Sequence, residues 1–152
     1  MNIKKDDELL LLKIKTPFEI DFYSEHNKII EQKGHVWICK FGKTNLLFSK
    51  LSSSKRIILK DTKKNNNSAY IVEYDEVSIT DPKKDYPAYY NKVDVIKSLW
   101  FKVTSIHKID YNELIDNFLT VSSDSSLEGV FRSMCNSFYI KSIKNFTFKE
   151  VK

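Results

Sequence analysis

The chain has 152 residues, of which 41% are hydrophobic and 30% are charged, so it can form one hydrophobic core and is too apolar for a disordered protein. Its formal net charge is +5, and Arg56 and Arg132 are the only arginines, so the basic excess consists of lysine. A modest positive charge attracts polyanions but reads no sequence. A lysine-rich composition that affects every surface explains the charge equally well.

The two cysteines, Cys39 and Cys135, are too far apart in sequence for a metal-ligand pair, and nothing in their spacing indicates a disulfide framework. The longest apolar run is Leu9–Leu12. It is far below the ~20 residues that a membrane span needs. The segment Lys4–Asp7 does not have the pattern of a secretory signal. We therefore expect a cytoplasmic protein that has no membrane partner.

Apolar periodicity and turn signals predict strands alternating with helices. The segment 9–14 fits a strand or a short helix, and a helix over 20–33 is predicted to end at Gly34. The other predicted elements are strands over 35–41, 56–60, 69–79, 99–106, 138–140 and 146–148, helices over 44–51, 111–118 and 126–136, a loop over 80–93 and an extended segment over 119–122. Asp110 and Glu113 fit a capping box for the helix over 111–118. This order predicts an α+β protein: one domain over residues 1–152, with a small, curved, mostly antiparallel β-barrel and helices packed around it.

No pattern in the sequence matches a known enzyme site. His26, His35 and His107 lie in three separate predicted elements, which disfavours a metal site. The serines of segment 123–126 lack the glycines of a nucleophile elbow, and the segment 42–44 lacks the upstream glycine of a phosphate loop. We therefore predict no catalytic residue, no metal and no cofactor. A hydrolase or nuclease with an unrecognised site stays open, as a third alternative to the two binding functions given below.

Aromatic residues are the most informative part of the composition. Ten phenylalanines, eight tyrosines and two tryptophans make up 13% of the chain. Trp37 lies early in a predicted strand, Tyr86, Tyr89 and Tyr90 lie in the long loop, and Trp100 follows that loop. Aromatic rings grouped around a pocket can sandwich a flipped base or surround a methyl group. Burial of all these rings in the core is an equally good interpretation.

The order of these segments resembles the PUA-like superfamily and, within it, the YTH and EVE domains. The YTH pattern begins with a Gly-Val-Trp element whose tryptophan forms one wall of a methyl-base cage, and Gly34–Trp37 is similar, with one more residue before the tryptophan. A later YTH strand of the type Trp-Ile-Phe-Val-Lys-Asp-Val-Pro is similar to Trp100–Ile106, although Lys108 and Ile109 stand in the region of its proline. The similarity extends over residues 30–140, and the loop before this strand carries tyrosines where the family has tryptophans.

The resemblance implies binding to nucleic acid, with DNA favoured over RNA, and recognition of one modified base, methylated and flipped into an aromatic pocket. Related domains are the DNA-reading modules of McrB-like modification-dependent restriction systems, which implies a role in antiviral defence beside a separate effector NTPase or nuclease subunit. The expected pocket residues are Trp37, Tyr89, Tyr90 and Trp100 as walls, with Ser105 or Asn91 reading the base edge. The expected phosphate contacts are Lys40, Lys43, Lys50, Lys55 and Arg56. The alternative is a non-catalytic accessory subunit that binds protein through an exposed aromatic patch.

Overall fold

The computed structural model describes residues 2–17, 19–43, 55–63 and 67–149. Its strands are β1 (Asn2–Ile3), β2 (Glu8–Ile14), β3 (Val36–Phe41), β4 (Arg56–Asp61), β5 (Ala69–Ser78), β6 (Lys97–Ile109), β7 (Phe118–Thr120), β8 (Ser137–Ser142) and β9 (Phe146–Thr147). Its helices are α1 (Phe22–Lys33), α2 (Tyr111–Asn117) and α3 (Leu127–Phe131), with a short 3₁₀ helix over Ala88–Lys92.

Seven strands form one sheet in the order β3-β6-β5-β4-β2-β8-β7, and β1 pairs separately with β9. The pairs β3–β6, β2–β8 and β7–β8 are antiparallel, whereas β2 and β4 are parallel. The predicted α+β class with a mostly antiparallel sheet is therefore confirmed. Strands β3 and β7 stand at the two ends of the order, and no pairing between them closes the sheet within the described residues. The predicted barrel is thus not confirmed.

The predicted strands over 35–41, 56–60, 69–79 and 99–106 correspond to β3, β4, β5 and β6, with boundaries that differ by at most a few residues. The segment 9–14, which fitted both a strand and a helix, is strand β2. The predicted helix over 44–51 lies outside the described residues. In the predicted loop over 80–93, the last residues form the 3₁₀ helix.

The helix over 20–33 is confirmed as α1. The Asp21 side chain caps it by accepting from the N–H of Ser24, and Gly34 ends it in the left-handed region at φ +84°. The helix predicted over 126–136 corresponds to α3, which is shorter and ends at Phe131. The Val130 carbonyl accepts from the Ser133 hydroxyl and from the Lys13 ammonium, so the bond that would continue the helix is replaced.

The residues group into two compact units, and the single domain over 1–152 stays a prediction. The first unit consists of Met1–Lys15, Ile57–Ile71 and His107–Lys152. Its core contains the aliphatic and aromatic side chains Ile3, Leu9, Leu11, Ile58, Ala69, Ile71, Ile109, Leu114, Phe118, Leu127, Ile140 and Phe148.

In the described part of the chain, no helix is both long and apolar enough to cross a membrane.

Two buried lysines lie side by side in the first unit. Lys13 of β2 is the register partner of Lys60 of β4, so both side chains lie on one face of the parallel pair. The Lys13 ammonium donates to the carbonyls of Val130 and Ser133, near the end of α3, and Lys60 lies 5.4 Å from the centre of the Tyr111 ring. Burial lowers the pKa of both lysines. Carbonyl and aromatic contacts of this kind stabilise the ammonium groups locally.

The second unit consists of Thr16–Arg56 and Val72–Ile106. The β3–β6 register pairs Cys39 with Trp100 and Ile38 with Phe101. Directly opposed residues share a face and neighbours alternate, so Trp37, Cys39 and Trp100 lie on one face and Ile38 and Phe101 on the other. Trp100 and Phe101, which are adjacent in β6, therefore face opposite sides of the sheet. Both side chains are buried, so both faces of β6 are covered there.

Candidate functional site

The second unit contains a buried aromatic cluster that includes the predicted wall residues. Trp37 comes from β3, Trp100 from β6, and Tyr89 and Tyr90 from the 3₁₀ helix. Their exposed fractions are 7%, 0%, 7% and 1%. We use the term aromatic cluster for these residues with Cys39 and the partly buried side chains packed against them, which are Ile20, Phe41, Tyr86 and Val93. Residues far apart in the sequence are therefore brought together as the pocket prediction requires, but they are packed as a core.

The rings of the aromatic cluster touch each other directly. The centres of Tyr89 and Tyr90 are 5.0 Å apart, and those of Tyr86 and Trp100 are 5.2 Å apart. Tyr86 and Tyr90 are stacked, with centres 5.3 Å apart and planes inclined by 18°. A further ring placed between two rings needs roughly 7–8 Å between their planes, twice the van der Waals separation. A base can therefore stack in this cluster only after one of its rings has moved.

A buried hydrogen-bond chain fixes Tyr90. His26 Nδ1 lies 2.7 Å from the carbonyl oxygen of Phe22, and His26 Nε2 lies 2.6 Å from the Tyr90 hydroxyl. Because a carbonyl oxygen can only accept, Nδ1 carries the proton and Nε2 accepts from Tyr90. The Tyr90 hydroxyl in turn accepts from the backbone N–H of Cys39 at 3.4 Å. Burial lowers the pKa of His26 to about 4, so at neutral pH the imidazole is uncharged. These hydrogen bonds connect α1, the 3₁₀ helix and β3.

The indole N–H of Trp100 is the polar group of this site that lacks a partner. Trp100 is fully buried, and its Nε1 has no hydrogen-bond partner among the residues that the structure describes. Leaving a buried donor unpaired costs about 1–3 kcal/mol. A ligand that places an acceptor atom beside Trp100 removes this cost.

Cys39 adds no nucleophile to the site. Burial raises the pKa of its thiol to about 12, so the thiol stays protonated at neutral pH and is unreactive. Among the described residues, no three His, Cys, Asp or Glu side chains are grouped closely enough to hold a metal ion.

The loop before the 3₁₀ helix is attached to β3. The carbonyl of Asp85 accepts from the N–H of Trp37 at 2.8 Å, and its carboxylate lies 3.1 Å from His35 Nε2. Lys83 and Asp85 have φ values of +62° and +59°, in the left-handed region that side chains rarely adopt. These contacts hold Tyr86, the next residue, over the aromatic cluster.

No protein-family model, curated protein or solved structure matches the chain. No relative therefore indicates a function for the candidate site, and its interpretation rests on the contacts among its own residues.

The two predicted base-reading residues are not part of the aromatic cluster. Ser105 lies on the face of β6 opposite to Trp100 by strand alternation, and its hydroxyl donates to the Glu73 carboxylate at 3.0 Å. Asn91 is on the 3₁₀ helix beside Tyr90, but it is exposed. The structure thus separates Ser105 from the predicted walls and leaves Asn91 at the surface.

The predicted phosphate contacts have different surroundings. Lys43 and Lys55 are exposed and Arg56 is half-buried, whereas Lys50 lies outside the described residues. Lys40 is buried, and its ammonium donates to the carbonyl of Phe41 at 2.9 Å. Burial also lowers the pKa of Lys40. Lys40 is therefore not placed as an exposed phosphate contact.

Sequence reasoning assigned no role in the site to Tyr86, Cys39 or His26. Strand alternation with Trp37 gives Cys39 its face, so the sequence carried a signal for it. His26 lies one turn after Phe22, whose ring centre is 4.0 Å away, but a single histidine in a helix does not indicate its partner. The contact between His26 and Tyr90 is long-range and left no sequence signal.

Proposed function

We propose that the chain is a non-catalytic nucleic-acid-binding protein that accepts one modified base into the aromatic cluster. DNA is favoured over RNA, and the modification is a methyl group or a similar small substituent. The proposal includes a PUA-like relationship, with the barrel that this superfamily implies, and a cytoplasmic role in modification-dependent defence beside a separate effector NTPase or nuclease. The observation that carries it is the fully buried indole N–H of Trp100, which has no partner within the described part of the chain and lies among closely packed aromatic rings.

The chemistry of this cluster suits a nucleobase. Each base has two flat faces that stack on aromatic rings, and one stacked base contributes about 1–3 kcal/mol. Each base also carries ring nitrogens or carbonyl oxygens at its edge, which accept hydrogen bonds. A base beside Trp100 would thus gain both a stacking surface and a donor. An aliphatic ligand has no flat face to stack on these rings.

The positive charge supports a polyanionic partner. The formal charge is +5, and the described lysines near the start of β4 and the end of β3 include the exposed Lys43 and Lys55. Each phosphate that such a residue neutralises releases counterions, so affinity falls steeply with salt. An aromatic protein interface lacks this dependence.

The alternative, protein binding through an exposed aromatic patch, has less support. The large hydrophobic side chains that are exposed in the described residues are Ile79, Val95, Ile96, Met134 and Ile143, and none of them is aromatic. We therefore argue only for the nucleic-acid interpretation.

The decisive experiment compares Trp100→Phe with wild-type protein on oligonucleotides that carry one N6-methyladenine, one 5-methylcytosine or no modification. Because Trp100 Nε1 has no partner within the described structure, the substitution removes no internal hydrogen bond. We expect it to weaken binding of the preferred oligonucleotide about tenfold, since one hydrogen bond contributes about 1.5 kcal/mol. Phe101→Leu, on the opposite face of the same strand, is the packing control and should keep the wild-type affinity.

Two results would contradict the proposal. One is wild-type protein that prefers none of the modified oligonucleotides, and the other is binding that is independent of salt concentration. Unchanged affinity in Trp100→Phe would remove Trp100 from the site and leave the function standing.

A further inference from the structure

Tyr86 differs from the other rings of the aromatic cluster. It is only partly buried, whereas Trp100 and Tyr90 are almost inaccessible to solvent. Its ring lies nearly parallel to that of Tyr90, at 18°, whereas Tyr89 meets Tyr90 edge-on at 79°. Tyr86 thus lies on Tyr90 as a stacked base would, and it contacts Trp100 at the same time, with ring centres 5.2 Å apart.

Tyr86 lies in the loop between β5 and the 3₁₀ helix. Tyr86 follows Asp85, which is in the left-handed region and is bound to the N–H of Trp37. Partial burial, together with the Asp81 carboxylate in the same loop, raises the pKa of the Tyr86 hydroxyl. Pro87, the next residue, is the N-cap of the 3₁₀ helix. Tyr86 is thus carried by a loop residue that belongs to neither β3 nor β6.

We propose that Tyr86 occupies the place of the bound base in the free protein, and that a flipped base replaces it on Tyr90 beside Trp100. This inference depends on the proposed function and makes it more specific. The ligand must be a flat aromatic ring about as wide as a tyrosine side chain, and it must present an acceptor atom at its edge for Trp100 Nε1–H.

This exchange explains how a closed cluster can still be a binding site. The rings are too close together for a base to be inserted between them, so one ring has to leave. Tyr90 is held by His26 and by the N–H of Cys39, and Trp37 and Trp100 are in paired strands. Tyr86 is partly buried and lies parallel to Tyr90, so it is the ring whose position a flat base can take. It also keeps Tyr90 and Trp100 covered while no nucleic acid is bound.

The test compares wild-type protein with Tyr86→Ala, Tyr86→Leu and Tyr86→Phe. The probe is free N6-methyladenosine, which needs no phosphate contact, and the oligonucleotide series is measured on the same samples. If Tyr86 competes with the base, Tyr86→Ala and Tyr86→Leu bind the nucleoside roughly three- to tenfold more tightly, the range expected for one removed ring–ring contact. Tyr86→Phe keeps the competing ring and gains less. Acrylamide quenching of tryptophan fluorescence should increase in Tyr86→Ala, and thermal melting confirms that each variant is folded.

The outcomes separate this inference from the proposed function. Tighter nucleoside binding by Tyr86→Ala or Tyr86→Leu supports the exchange, even if no modified oligonucleotide is preferred and the proposed function fails. Wild-type preference for a modified oligonucleotide, combined with equal or weaker nucleoside binding by both variants, overturns the exchange and makes Tyr86 an ordinary wall of the pocket. Equal or weaker binding of every probe by both variants overturns it as well.

Discussion

Burial of the His26 imidazole makes the stability of the protein depend on pH. Burial lowers its pKa from 6.5 to about 4, and the contact with the Phe22 carbonyl offsets only part of this effect. The unfolded chain contains an ordinary histidine, so between these pH values the unfolded state binds one more proton than the folded state. The stability contributed by neutral His26 is therefore fully present above about pH 6.5 and is lost as the pH falls toward 4.

The size of the effect follows from the difference between the two pKa values. One pKa unit corresponds to about 1.4 kcal/mol, so the difference corresponds to about 3 kcal/mol in the free energy of unfolding. About 2 kcal/mol of this is lost by pH 5. Since a typical domain is stable by only about 5–15 kcal/mol, a loss of this size is readily measured.

The assay is urea unfolding at pH 7.5, 6 and 5 for wild-type protein, His26→Gln and His107→Gln. The glutamine amide replaces part of the contact with Tyr90 and cannot gain a proton. We expect His26→Gln to be less stable at pH 7.5, and its deficit to shrink by about 2 kcal/mol at pH 5. His107→Gln, at an exposed position, is the control for replacing a histidine by glutamine. Because the proteins differ at one position, the pH dependence that they share cancels in the comparison. Parallel pH curves for wild-type protein and His26→Gln would refute the buried, neutral histidine.

Three further predictions concern the cluster wall, the end of α1 and the surface charge. Trp37→Ala should destabilise the protein by about 3–5 kcal/mol, since Trp37 is 7% exposed, and an almost unchanged melting temperature would show that the ring is not packed as described. Gly34→Ala should lower the free energy of unfolding by about 1 kcal/mol through backbone strain alone, because no atom lies within 4 Å of the added Cβ. Gly34→Asn should lower it less, since asparagine tolerates the left-handed region better, and thermal unfolding measures both. An equal loss of stability in the two variants would point to another cause. The third variant replaces four residues by glutamine together: Lys43, Lys50, Lys55 and Arg56. It should bind oligonucleotides of every sequence more weakly and with a flatter salt dependence, and unchanged binding would place the phosphate contacts elsewhere.

Local sequence patterns were sufficient for most elements of the fold. The apolar and β-branched runs of β3 to β6 predict strands because their side chains favour a pleated, buried surface. Gly34 marks the end of α1 through cap chemistry that operates within a few residues. These signals are local, so one sequence contains them in full.

Long-range pairing and burial could not be predicted in this way. Nothing in the sequence shows that β2 pairs with β4 in parallel, because pairing depends on contacts between distant segments. Lys40 was expected at the surface because lysine seldom lies in a core, yet its ammonium is satisfied by the carbonyl of Phe41. Ser105 was assigned to the site, although strand alternation places it on the other face of β6 from Trp100.

The position of β2 in the sheet has a consequence for how the protein folds as it is synthesised. β2 lies between β4 and β8, and it precedes both of them in the chain. Its apolar residues Leu9–Leu12 are almost fully buried in the finished sheet, but on the ribosome they emerge long before β8. At about 5–20 residues per second this interval is on the order of ten seconds. During that time the edge of β2 that pairs with β8 lacks its partner, so early capture by a chaperone, or early aggregation, should act on this segment first.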